Sequence, residues 1–193
     1  MDRRKAIKLT SYYLGGVLSA PAIAGILQGC KAEPQLNWQP QFFTPDQANL
    51  VDQIAELILP KSDTPGARDL GVPAFVDELM AKCFGEKDQS TFTKGLQVLE
   101  AKARQDFGET FLECSQEQQY QLLEPLNREA AELARNRSAE KPFFSIMKEL
   151  TLLGYFTTET GASKVLQYHN LPGTYEGCAP LDELGGKAWA TGG

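Results

Sequence analysis

The sequence predicts an all-α domain: five to six helices in a compact orthogonal or bundle-like body, followed by an irregular C-terminal tail. Three observations predict it. Apolar residues recur at helical spacing in five successive segments between residues 44 and 153. Capping signals and proline or glycine breaks separate those segments. No stretch alternates apolar and polar residues as a half-buried strand would.

The first helix begins at Thr44. Thr44-Pro45-Asp46-Gln47 supplies an N-cap, a proline at the first helical position and a glutamine three residues after the cap. Leu50, Val51, Ile54, Leu57 and Ile58 form its apolar stripe, and Pro60 ends it. The stretch "PKSDTPGARDLGVP", residues 60–73, carries three prolines and two glycines, which make stiff turns. A second helix is expected from about Pro73, with Phe75, Val76, Leu79, Met80 and Cys83 on its buried face and Gly85 closing it. A third spans about Asp88 to Gln105, with Phe92, Leu96, Leu99 and Ala103 in line, and "DFGETF" breaks it. Ser115 and Gln118 form a capping box for a fourth, which extends to about Asn136. Its inward residues are Leu122, Leu123, Leu126 and Leu133, and Pro125 marks either a kink or a boundary. The fifth holds Phe143, Phe144, Ile146, Met147, Leu150 and Leu153 and is the most apolar; a short sixth lies near Glu159 to Leu166.

The 193 residues carry a net charge of −6 and a single histidine, His169. Nucleic-acid binding needs a basic footprint on the phosphates, and beyond the first eight residues no run of Lys or Arg supplies one. One histidine excludes a multi-histidine zinc site. Neither common nucleotide-binding glycine fingerprint occurs. A nucleophile–base pair would have to use His169, and Cys178 is its nearest cysteine in sequence, but no third orienting group accompanies them. Asp63, Asp69, Asp77 and Glu78 cluster around residues 60–73; they are expected to be solvated rather than an acid–base pair, and no calcium-loop pattern joins them.

The N-terminus reads as an address. A basic start, "MDRRKAIK", precedes 21 uncharged residues, Leu9 to Gly29. Arg3 and Arg4 resemble the pair of a twin-arginine export signal, with Asp2 and Ala6 departing from the usual pattern. The apolar run is long enough to span a bilayer but is interrupted by Gly and Pro, so a cleaved leader is expected over a retained span. "LQGC" resembles a bacterial lipobox ending at Cys30, which would be acylated and become the new N-terminus. Cleavage there would remove Asp2 and four basic residues, leaving 15 basic and 24 acidic groups, a net of −9. The expected organisation is a signal peptide over 1–29, a tether over 30–43 with Trp38, Phe42 and Phe43 available to dock on the body, and a helical domain over 44–193. The remaining cysteines, Cys83, Cys114 and Cys178, permit one intramolecular disulfide or serve as three small buried hydrophobes.

Four stretches in order carry a family resemblance: "AELILPKSDTPGARDLGVPAFVDELM", "FTKGLQVLEAKARQDFGETF", "FFSIMKELTLLGYFTTETGASKVLQY" and "LPGTYEGCAP". Together, over roughly residues 45–190, they resemble the small (gamma) subunit of gluconate 2-dehydrogenase, subunit 3. The resemblance implies a non-catalytic chain that holds no cofactor itself. It accompanies a large FAD-dependent flavoprotein of the GMC type that oxidises a sugar, sugar acid or polyol, and a cytochrome c subunit often takes the electrons on. It also implies a role in maturing and exporting the flavoprotein as a folded pair. With Cys30 acylated, the chain would be a membrane-anchored lipoprotein of the periplasmic cell envelope. The expected partner contacts are Asp63, Thr64, Pro65 and Arg68 in the stiff stretch, with Tyr155 and Tyr175 from the aromatic C-terminal third, whose rings either form an interface or cover the helical core. The alternative is a free-standing lipoprotein that binds a ligand in the envelope.

Overall fold

The computed structural model describes residues 36–135, 141–168, 178, 180–183 and 185–190. Among them the fold is all-α: α1 (Pro45–Ile58), α2 (Val72–Lys82), α3 (Glu86–Phe107), α4 (Gln116–Arg135), α5 (Phe143–Thr157) and a π-helical turn, Gly161–Val165. The predicted caps form. Gln47 N–H donates to Thr44 Oγ1 at 3.3 Å, and the Thr44 N–H donates back to Gln47 Oε1 at 3.1 Å. Ser115 and Gln118 make the same reciprocal pair at 2.8 and 3.4 Å. Each box satisfies two amides that the first helical turn leaves orphaned.

The most apolar helix is also the central one. α5 packs against α1, α2, α3, α4 and the π-helical turn. A helix apolar around most of its circumference must be surrounded, because a single buried face would leave the rest in water. Even Thr151 is fully buried there, its hydroxyl donating to Met147 O at 2.8 Å. From residues 42–43 to the first turn of α5 runs a chain of aromatic contacts, Phe42–Phe43–Phe92–Phe143–Phe144, with ring centroids 5.0 to 6.4 Å apart.

α3 comes close to α5 at Gly95. A Cβ built there would overlap Cβ and Cγ of Phe143. Overpacking of this kind costs about 1–3 kcal/mol, and the helix-propensity gain of alanine over glycine, about 1 kcal/mol, offsets only part of it. Gly95→Ala is therefore expected to destabilise by up to about 2 kcal/mol in a urea titration, whereas alanine at an open helical glycine would stabilise.

Several local expectations are corrected. Asp77, expected in solvent, lies on α2 and is 1% exposed. Its carboxylate accepts N–H bonds from Gln41 (2.6 Å), Phe42 (3.1 Å) and Phe43 (2.9 Å). One expectation is met instead: Trp38, Phe42 and Phe43 of the tether segment dock on the body, Phe43 in the core and Leu36, Trp38 and Phe42 packed on it partly buried. Cys83 is exposed at the C-cap of α2, because the chain turns there and Phe84 takes the inward place. Gly85 caps the start of α3 rather than closing α2. On α4, Ala130 is buried where Leu133 was expected to be, and Pro125 lies inside the helix without ending it. Leu153 of α5 is 50% exposed. Past the π-helical turn, Gln167 pairs with the tail through N–H···O bonds from Gln167 to Ala188 and from Ala190 to Gln167, both 2.8 Å.

Candidate functional site

The stretch from Leu59 to Gly71 is fastened to α1 along its length. Pro60 ends the α1 pattern, and the chain returns along the helix it has just left. Ala67 N–H donates to Leu59 O at 2.9 Å, closing the excursion. Glu56 of α1 spans it from below: Oε1 accepts from Lys61 N–H and Oε2 from Arg68 N–H, each at 3.0 Å. Those bonds need the Glu56 carboxylate pressed against the loop backbone at Gly66, where any Cβ would collide with it. Arg68 then folds back on α1. Its Nε and Nη2 both lie 2.6 Å from Asp52 Oδ2, and Nη2 reaches Gln53 Oε1 at 3.1 Å. From the other side, the Tyr155 hydroxyl of α5 donates to Pro65 O at 2.8 Å. Gly71, at φ +71°, turns the chain into α2.

The electrostatics follow from this packing. Burial pushes the Asp52 carboxyl up from its ordinary value of 3.8, the Arg68 charge and hydrogen bond pull it back, and Glu56 adds to the rise. Asp69 is held below the ordinary carboxylate range, first by its hydrogen bond from Lys61, 3.0 Å away. A raised folded-state pKa means that the Asp52 contribution to stability is fully present below pH 3.8. It is lost as pH rises through the raised value. Arg68→Ala removes the lowering partner, so Asp52 is expected to titrate higher still, which a carboxyl carbon NMR titration reads directly.

A shallow groove of about 390 Å³ opens where the loop begins. Leu57 and Ile58 from the end of α1, Leu123 of α4 and Phe144 of α5 give its apolar floor. Tyr120, 40% exposed, stands at its edge, with Glu117, Glu124 and Lys148 among the polar residues around it. A braced polar loop beside an apolar groove with an aromatic edge has the make-up of a protein-docking surface: little entropy is lost on binding, and the aromatic supplies apolar area. Among the described residues no group of three His, Cys, Asp or Glu side chains stands close enough to hold a metal. Cys114 is buried, and burial pushes its thiol up, which makes it a poor nucleophile.

The sequence-predicted residues divide as follows. Asp63 is exposed, and Thr64 and Pro65 are half-buried beside it. Arg68 has an exposed side chain committed to Asp52 and Gln53, so it braces the loop. Tyr155 is 3% exposed and is corrected from a surface contact to an internal clamp. Arg3, Arg4, Cys30, His169 and Tyr175 lie outside the described residues. Sequence reasoning missed Asp52, Gln53, Glu56 and Tyr120. Asp52 and Glu56 are four apart on the polar face of α1, which is also the pattern of any solvated helix face.

The family model described as gluconate 2-dehydrogenase subunit 3 matches residues 45–173, two thirds of the chain. The chain belongs to that family. The match covers α1 to α5 and the π-helical turn, so the braced loop and the groove are both part of this subunit 3 body. No curated protein and no solved structure matches the chain. Among the described residues, no helix of this subunit 3 member is long and apolar enough to cross a membrane.

Proposed function

We propose that this protein is the non-catalytic small subunit of a membrane-associated, FAD-dependent dehydrogenase complex acting on a sugar, sugar acid or polyol. The observation that carries this reading is the family match over the whole helical body. In it, the chain assists maturation and twin-arginine export of the flavoprotein through Arg3 and Arg4, and attaches the complex to the membrane through lipid on Cys30. The flavin belongs to the partner, a large GMC-type subunit, and a cytochrome c subunit takes the electrons on. The groove edged by Tyr120 and the exposed tip at Asp63 are the surface offered to the flavoprotein.

Purification of the full chain from membranes by a C-terminal tag tests this. The expected result is a stoichiometric flavoprotein, flavin absorbance and sugar-dependent dye reduction. A colourless protein recovered alone would overturn it in favour of a solitary envelope lipoprotein. Within the complex, Tyr120→Ala is expected to weaken flavoprotein association by about 10- to 30-fold, the effect of losing an interface aromatic worth about 1.5–2 kcal/mol. Its own melting temperature should change little, because Tyr120 is partly exposed. Unchanged co-purification with Tyr120→Ala and Asp63→Ala together would move the interface elsewhere.

A further inference from the structure

The buried Asp77 carboxylate gathers the amides of three consecutive residues, Gln41, Phe42 and Phe43. The same segment buries Phe43 in the core and lays Leu36, Trp38 and Phe42 against it. Residues 36–43 are thus a strap clasped at its backbone and seated by its side chains. The described body therefore begins at Leu36, well before the start of α1 at Pro45. From Cys30 to Leu36 there are six residue steps, roughly 20 Å when fully extended. With the strap released, the 14 steps from Cys30 to Thr44 would reach about 50 Å. The clasp holds residues 41–43 at the N-terminal end of α1, and the braced loop leaves from the C-terminal end. The 14 residues of α1 separate the two by about 20 Å.

We propose that the Asp77 clasp is a standoff device. In the mature chain acylated at Cys30, it holds the helical body within about 20 Å of the lipid surface. This rests on the lipoprotein reading of Cys30.

The test uses the full chain produced in bacteria with an alkyne fatty acid, with Cys30→Ala as the control for acylation. The lipidated protein, carrying Cys178→Ser and a fluorophore on exposed Cys83, is placed in phosphatidylethanolamine–phosphatidylglycerol vesicles with a headgroup acceptor dye. Efficient energy transfer is expected. Asp77→Asn should lower it and speed hydrogen exchange at amides 41–43 by at least tenfold. A ten-residue Gly/Ser insertion between Glu33 and Pro34, with the clasp intact, should lower transfer without changing that exchange, and it keeps the test valid if Asp77→Asn folds poorly. Labelled protein whose transfer is unchanged by both variants overturns the standoff alone. Absence of fatty-acid label on Cys30 overturns the anchoring reading and the standoff with it.

Discussion

Phe92→Ala is expected to cost about 4 kcal/mol of stability and to lower the melting temperature by roughly 8–16 °C. Phe92 is fully buried on α3. It contacts Phe43 at 5.3 Å and, edge to face, Phe143 at 5.0 Å. Its removal leaves a cavity where the strap, α3 and α5 meet. The neighbouring rings are held by their own contacts, so they close that cavity only in part. Phe92→Leu keeps most of the volume and should cost about 1–1.5 kcal/mol. Urea titrations of the three proteins read the difference, and a loss below 1 kcal/mol for the alanine variant would mean that the aromatic row is not a packed unit.

Asp77→Ala should cost about 3 kcal/mol. The residue is almost entirely enclosed, and three backbone amides depend on it. Truncation to a methyl group strands these donors, and each stranded buried donor carries a penalty of about 1–3 kcal/mol. Those of Gln41 and Phe42 are only part-buried, so water recovers some of the loss. Asp77→Asn keeps one carbonyl acceptor and should fall between wild type and alanine. Thermal melts measure the size of the effect, and amide exchange at residues 41–43 shows where it arises. A melt unchanged within 0.5 kcal/mol would contradict the clasp.

How much of the site was legible in the sequence differed residue by residue. The stiffness of residues 60–73 was visible in Pro60, Pro65, Gly66, Gly71 and Pro73, because proline and glycine restrict or free the backbone locally. The bracing was not. Glu56 reaching Lys61 and Arg68, and Tyr155 reaching Pro65 across 90 residues of chain, depend on how α1, the loop and α5 pack. Tyr155 stayed open between an interface and a core aromatic, because a tyrosine's ring and hydroxyl suit both equally well.

By itself the sequence determined the helices, the Thr44 and Ser115 caps and the strongly apolar character of α5. These depend on interactions within a few residues and on apolar periodicity, and both are written along the chain. It also carried the family, since the four matching stretches are linear text. Only the tertiary structure decided that Asp77 is buried, that the strap belongs to the body, and that Arg68 and Tyr155 brace the loop instead of presenting a surface. An aspartate reads as exposed until three amides from 34 to 36 residues away converge on it. Burial of a charge is affordable only when such partners are supplied, and distant segments supply them only once the chain has folded.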